Sequence, residues 1–106
     1  MSQTIEFLYR IQPTRPEMLS EGPTEVEQAC VAEHYQYLKA LLEDGHLILA
    51  GRTLNADPSS FGIVVFRAES FEAAHQIVQA DPAVSGGVMH AELFPYRVAL
   101  IEKRDG

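Results

Sequence analysis

The stretch EHYQYLKALLEDGHLILAGR, residues 33–52, joins the end of an amphipathic pattern to a glycine and then to an apolar run. Helical spacing puts a set that includes one histidine on a single stripe of a buried face: Val31, His34, Leu38, Leu41 and Leu42. Gly45 stands where helices commonly end, and residues 46–53 have the composition of a strand. The stretch therefore predicts a mixed α and β protein, in which the histidine on the apolar stripe needs a polar partner.

The residues before this stretch predict a strand, a long connection and the start of the helix. Residues 5–12 alternate with period two and stop at Pro13. The segment PTRPEMLSEGP, residues 13–23, contains three prolines and a glycine, which argue against a regular helix or a central strand. Thr24 and Glu27 have the spacing of a capping box, so we expect the helix to run from Thr24 to about Asp44.

The residues after it predict two more strands with a second helix between them. GIVVFRA, residues 62–68, pairs with the strand at residues 46–53 as an antiparallel hairpin. Ser70 caps a helix that ends near Asp81, because Pro82 disfavours helical geometry in the residue before it, and a PAVSGG bend follows. The last strand, from residue 90 to residue 100, contains Pro95 and should therefore lie at a sheet edge.

The resulting order, βαββαβ, predicts a ferredoxin-like α+β fold: a four-stranded antiparallel sheet with two helices on one face. The strands are apolar on both sides, so the face without helices would expose a large apolar patch in a monomer. A second copy is the simplest cover. We therefore expect a homodimer through the open sheet face, with the two sheets closed into a dimeric α+β barrel.

Composition limits the classes of partner and compartment. A chain of 106 residues makes one domain, residues 1–106, and its net charge of −7 disfavours nucleic acid and anionic membranes. No apolar run is long enough to span a bilayer, and the start lacks a signal peptide's pattern, so a cytoplasmic protein is expected. Cys30 is the only cysteine, and neither metal-ligand spacing nor a nucleotide-binding glycine motif is present, so no metal and no cofactor are expected.

Three arginines and one tyrosine are candidate ligands of a small anionic organic molecule. Arg10 and Arg52 sit on strands expected to border a pocket under the first helix, and Arg15 is on a proline-rich loop that could act as a lid. Tyr9 could donate a hydrogen bond to a bound carbonyl. Alternatively, each arginine carries ordinary surface charge and Tyr9 is a packed ring.

Several stretches resemble the YciI-like family of the dimeric α+β barrel superfamily. They are His34 followed by YLKALLEDG and LILAG, Asp81-Pro82 followed by a glycine-bearing bend, and the final AELFPYRVAL. The chain departs from the family at Val31, where members often have arginine, and at Arg52, where proline is common. The resemblance implies that His34 and Asp81 form an active pair, in proteins similar to small-molecule isomerases, lyases or dehalogenases.

A histidine held by a carboxylate can take or give a proton through its other ring nitrogen. The sequence thus leads to the hypothesis of a cofactor-free acid–base enzyme acting on a small organic acid or lactone, with His34 and Asp81 as its catalytic pair. The alternative is a non-catalytic dimer that binds a small ligand or serves as an accessory module. In that case His34 is a core histidine and Asp81 caps a turn.

Overall fold

A computed structural model of the chain describes residues 4–102. Its elements follow the predicted order, with one short helix added in each of two connections. They are β1 (Ile5–Pro13), α1 (Glu17–Ser20), α2 (Glu25–Glu43), β2 (Leu47–Arg52), β3 (Gly62–Ala68), α3 (Phe71–Ala80), α4 (Pro82–Ser85) and β4 (Met89–Pro95). The added helices, α1 and α4, correct the expectation of irregular chain in those two places. Each has four residues, too few for a periodic pattern in the sequence.

The four strands form one antiparallel sheet in the order β2-β3-β1-β4, which confirms the ferredoxin-like fold. The last strand lies at an edge, as Pro95 predicted, but it ends at Pro95 and not at Leu100. The Tyr96 N–H still donates to the carbonyl of Glu6, at 3.0 Å, and the ladder does not continue beyond it. The predicted strand was therefore too long at its carboxyl end.

The long helix α2 begins and ends as its caps predicted. The Thr24 side chain accepts a hydrogen bond from the Glu27 N–H, and the Glu27 carboxylate accepts one from the Thr24 N–H. Gly45 follows the helix with a φ of 84°, a left-handed conformation that favours glycine. Of the stripe quoted above, His34, Leu38 and Leu41 are buried, whereas Leu42 is half-exposed.

One face of the sheet packs against the helices. Phe7 and Tyr9 of β1 point toward the helices and are 2% and 0% exposed. They share a core with Leu38 of α2 and Val78 of α3. The residues between them along β1 have the opposite orientation, because successive side chains of a strand alternate between the two faces. The site described below is on the helix side of this sheet.

Arg15 ties the connection between β1 and α2 to the first turn of α2. Its guanidinium donates to both carboxylate oxygens of Glu27, at 2.7 and 2.9 Å, and to the carbonyl of Gly22 at 3.1 Å. The hydrogen bonds that Arg15 donates to the carboxylate, together with those from Thr24, lower the pKa of Glu27 from its usual 4.5 to about 2. The loop is therefore fastened to the helix by an ion pair.

Glu27→Gln should make the free energy of unfolding depend less on pH in acid. A carboxylate whose pKa is lowered by folding contributes stability above its unfolded pKa, here 4.5, and loses that contribution as the pH falls toward about 2. Urea denaturation across this interval should show a steeper loss in the parent than in the variant. Glu25→Gln, in the same first turn but exposed, is the matched control and should behave as the parent does. Equal slopes for the parent and Glu27→Gln would contradict this reading.

None of the helices within residues 4–102 is both long and apolar enough to cross a membrane.

Candidate active site

Asp81 occupies the junction between α3 and α4 and belongs to both helix ends. Pro82 follows it, and Asp81 has an extended backbone with φ −64° and ψ 122°, so α3 stops there. Its side chain then caps α4 by accepting a hydrogen bond from the Ala83 N–H at 3.0 Å. The residue is completely buried, at 0% exposure. A local sequence signal, Asp-Pro, thus places a carboxylate inside the protein.

Gly86 allows α4 to lie close to α2. A β-carbon at this position would be 3.0 Å from Sγ of Cys30 on α2, a tight contact, and 2.8 Å from the carbonyl oxygen of Pro82 in its own turn, closer than real β-carbons come. Cys30 precedes His34 on α2 by about one helical turn. The missing side chain at Gly86 therefore lets the capped junction approach the part of α2 that carries the histidine.

His34 and Asp81 are in direct contact, although 47 residues separate them in the chain. Nδ1 of His34 is 2.8 Å from each carboxylate oxygen of Asp81. The hydroxyl of Tyr9, from β1, donates to Oδ2 of the same carboxylate at 2.8 Å. Three parts of the fold, β1, α2 and the α3–α4 junction, therefore meet at one buried carboxylate.

The contacts of Asp81 define where the protons lie. An ionised carboxylate can only accept, so Nδ1 of His34 carries a hydrogen and the lone pair of the neutral ring is on Nε2. Nε2 has no hydrogen-bond partner within residues 4–102, and no buried side-chain nitrogen or oxygen there lacks a partner. It follows that Nε2 reaches the surface, although the residue as a whole is only 9% exposed.

Two tyrosines close to Asp81 keep their protons. Burial raises the pKa of Tyr9, and the carboxylate of Asp81 raises it further, both by its charge and by accepting the hydrogen bond. Burial and the charge of Asp81 also raise the pKa of Tyr37, whose hydroxyl donates to the carbonyl of Ile77 at 2.7 Å. Both phenols therefore stay protonated and act as donors.

Arg10 is not beside this pair, which corrects the expected placement. Tyr9 faces the helices, so its neighbour Arg10 faces the opposite side of the sheet, where it forms an ion pair with Glu92 of β4. The alternation of side chains along a strand forbids both residues from lining one pocket. Arg10 therefore lies on the other face of the sheet from His34, with its guanidinium paired to Glu92.

Arg15 and Tyr9 also differ from their expected roles. The guanidinium of Arg15 is occupied by Glu27, the capping-box glutamate, and is not free to receive a ligand as part of a lid. The hydroxyl of Tyr9 is buried on Asp81, so it has no access to a bound carbonyl. The partner is an acidic residue in both cases, Glu27 for Arg15 and Asp81 for Tyr9, and the spacing of these residues in the sequence does not predict either contact.

Arg52 retains its place as a candidate. It ends β2 opposite Gly62, is exposed, and has no ion pair within the described part of the chain. Its register places it on the helix side of the sheet, since Ala50, two residues earlier, pairs with the inward-facing Val64. Arg52 is thus a cation on the same side of the sheet as His34, with no acidic partner among residues 4–102.

Two surface hollows lie elsewhere on the described part of the chain. The better formed, about 110 Å³, is between the connection after β1, the β2–β3 loop and β4. A wide groove of about 440 Å³ runs along the outer side of α3, beside His75. His34 and Asp81 line neither. Within residues 4–102, no three His, Cys, Asp or Glu side chains are grouped so that they could hold a metal ion.

The fold and the buried contacts define a ferredoxin-like α+β protein with a tyrosine–aspartate–histidine network between its sheet and helices. The profile of the YCII-related domain matches residues 7–97, and the chain belongs to that family. This confirms the family resemblance seen in the sequence.

Comparison with solved structures supports the fold. A 5-chloro-2-hydroxyhydroquinone dehydrochlorinase from Burkholderia phenoliruptrix AC1100, solved with 2,5-dihydroxybenzoquinone, has a TM-score of 0.62 and 21% identity, covering 86% of this chain and 93% of that one. An uncharacterized protein from Thermotoga maritima has a TM-score of 0.57 and 7% identity, covering 90% of this chain and 100% of that one. No curated protein matches the chain significantly. At these identities the likeness is one of fold.

Proposed function

We propose that the protein is a cofactor-free enzyme that performs acid–base chemistry on a small organic acid, lactone or related ring compound. The observation that carries the proposal is the hydrogen-bonded pair of His34 and Asp81, in which Nδ1 is held and Nε2 is left bare. A ring oriented in this way is a proton acceptor whose charged form the carboxylate stabilises. His34 is the proton shuttle, and Asp81 orients it.

The same device supports two kinds of reaction. Nε2 takes a proton from a carbon next to a carbonyl, and the electron pair of that bond moves into the substrate. If the proton returns to a different carbon, the substrate is isomerised. If a leaving group such as chloride departs with its own electron pair, a double bond forms and the reaction is an elimination. Neither route needs a change in oxidation state of the protein.

Arg52 is the residue we propose to hold the anionic group of the substrate. His34 is nine residues before the end of α2, about 13 Å at the helical rise, and Arg52 is five residues after the start of β2, about 17 Å at the strand rise. Because the chain reverses direction between the two elements, both residues lie at a similar level. A planar guanidinium without a partner is well suited to bind a carboxylate or an enolate oxygen.

A relative in fold supports the substrate class. The Burkholderia protein is a dehydrochlorinase of a chlorinated hydroxyhydroquinone and was solved with a small ring compound. Loss of hydrogen chloride from such a ring is an elimination of the kind described above.

The cytoplasm is the proposed setting, where an unpaired thiol such as Cys30 stays reduced.

Hydrogen exchange tests the proposal without knowledge of the natural substrate. The protein is incubated in deuterium oxide with a panel of an unsaturated lactone, a 2-oxo acid and 2,5-dihydroxybenzoquinone, and NMR follows the exchange of carbon-bound hydrogen. Chloride release from 5-chloro-2-hydroxyhydroquinone is followed in parallel. We expect catalysed exchange or release that requires His34, and weaker binding of the active compound by Arg52→Gln than by the control Arg67→Gln. Binding without any catalysed step would favour a non-catalytic ligand-binding dimer.

We also propose that the protein is a homodimer that buries its open sheet face. Leu49 of β2 and Phe94 of β4 point to that face, at 43% and 44% exposure, and Leu8 and Ile63 lie between them. The Arg10–Glu92 ion pair flanks this apolar strip. An apolar strip of this kind across a sheet is typical of an interface between subunits.

Phe94→Glu should convert the dimer into a monomer. A charge placed in an apolar interface loses its hydration without gaining a partner, and the same charge would appear twice across a twofold axis. Sedimentation velocity at micromolar concentration should show a dimer for the parent and a monomer for the variant. Phe71→Glu, a half-exposed phenylalanine on α3 far from the open face, is the matched control and should remain dimeric. A monomeric parent would refute the interface.

A further inference from the structure

Tyr9 is the member of the buried network whose expected role, a hydrogen bond to a bound carbonyl, its burial rules out, and the proposed reaction gives it no other. It is 0% exposed, so it cannot touch a substrate, and its hydroxyl donates to Asp81. We propose that Tyr9 is a positioning residue, which holds the Asp81 carboxylate in the orientation that keeps Nδ1 of His34 protonated and Nε2 bare. The expected effect of Tyr9 on catalysis rests on the proposed function, whereas its effect on the His34 ring does not.

The geometry of the carboxylate supports this role. Tyr9 donates to Oδ2 and the Ala83 N–H donates to Oδ1, so each oxygen has a donor that comes from outside the pair. Nδ1 of His34 is then equally distant, 2.8 Å, from both oxygens. A carboxylate fixed at both ends cannot rotate away from the ring. The tyrosine and the helix cap thus fix the plane in which the histidine donates.

The Tyr9 hydroxyl also limits how strongly the Asp81 carboxylate stabilises the charged form of the His34 ring. A buried carboxylate needs several donors in place of lost water. Without Tyr9, Oδ2 would keep only the ring N–H, and the imidazolium would become a more important partner of the charge. The ring of His34 would then stay charged to higher pH, and less of it would be the neutral form with a bare Nε2.

The surroundings of the pair leave Tyr9 as the group with this effect. In residues 4–102, the titratable groups that act on Asp81 are His34 and Tyr37 from α2 and Tyr9 from β1. The α3–α4 junction contributes the Ala83 N–H, and among the described residues Asp81 forms an ion pair with His34 alone. Tyr37 donates to the carbonyl of Ile77 and not to the carboxylate, so it is the matched control.

The test compares Tyr9→Phe with Tyr37→Phe. Each variant loses one phenolic hydroxyl and one hydrogen bond, but only the first loses a donor to Asp81. Long-range nitrogen–proton NMR spectra of the histidine rings, assigned with His34→Gln, report the tautomer and charge of His34 across a pH titration. We expect the ring in Tyr9→Phe to titrate at higher pH and to show less neutral form with bare Nε2, while Tyr37→Phe matches the parent. Identical ring spectra for Tyr9→Phe and the parent would overturn the inference.

Two further measurements separate this inference from the proposed function. If a substrate is found, Tyr9→Phe should lower kcat about 10- to 100-fold with little change in KM, the rate equivalent of one hydrogen bond to a charge. An active enzyme that needs His34 but tolerates Tyr9→Phe refutes only the positioning role. If Tyr9→Phe does not fold, uniform replacement by 3-fluorotyrosine strengthens the donor and keeps its shape. The His34 ring should then titrate at lower pH, and an unchanged titration would refute the role.

Discussion

His34→Ala is expected to lower the rate of the catalysed step about 10²- to 10⁴-fold, with the fold retained. This loss corresponds to about 3–5 kcal/mol of transition-state stabilisation. The physical reason is that Nε2 is the only bare nitrogen of a ring that Asp81 orients and whose positive charge Asp81 stabilises. Removal of the ring leaves Asp81 with two of its three donors, the Tyr9 hydroxyl and the Ala83 N–H.

The measurement is the exchange or chloride-release assay, made on protein whose circular dichroism and thermal unfolding are recorded in parallel. His75→Ala is the matched control, because His75 is an exposed histidine on α3 with no part in the network. Added imidazole should restore part of the activity of His34→Ala if the variant lacks only the ring. It should restore none if the activity was lost because the variant unfolds. A well-folded His34→Ala with the parental rate would end the assignment of His34 as the proton shuttle.

Asp81→Ala is expected to be the most destabilising single substitution in the network, by about 3–5 kcal/mol. The change removes the acceptor of three buried donors, which are the Tyr9 hydroxyl, the His34 Nδ1–H and the Ala83 N–H. Each buried donor without an acceptor costs free energy of folding. It also removes the cap of α4. Since domains of this size unfold with about 5–15 kcal/mol, the loss is a large part of the total.

Urea denaturation and thermal unfolding measure this effect, and the melting temperature should fall by at least about 12 °C. The matched control is Asp57→Ala. Asp57 also accepts hydrogen bonds, from Ser59 and Asn55, but it does so in an exposed turn where water can replace it. Equal losses for the two variants would mean that the network contributes nothing particular to stability. Asp81→Ala would also remove catalysis, so only activity per folded molecule separates the two effects.

The order of the elements could be predicted from the sequence because its signals are local. Thr24 with Glu27, Gly45, Ser70 and Pro82 mark helix ends by chemistry that acts over one turn. Pro95 marked an edge strand because a residue without an N–H cannot sit in a central one. The single-turn helices α1 and α4 were missed, since four residues have no period to detect.

The candidate site was predictable only in part. The position of His34 on an apolar stripe signalled a buried partner, and the family resemblance named Asp81 as that partner. The alternation of side chains along β1 puts Tyr9 and Arg10 on opposite faces of the sheet, so this local rule by itself separates Arg10 from a site that contains Tyr9. The pairing of Arg15 with Glu27 had no sequence signal, because several acids surround the loop.

The sequence alone determined the order of the strands and long helices, the helix ends and the apolar faces, because these depend on neighbours within a few residues. Only the tertiary structure decided that Tyr9 and Asp81, 72 positions apart, share one hydrogen bond. It did so by seating α4 against α2, where Gly86 permits the approach, and by turning the odd-numbered face of β1 toward the helices. The alternation along β1 already put Tyr9 on the more apolar face of that strand, but a pattern that acts over a few residues cannot select a partner so far away in the chain, whereas the packing of the whole chain can.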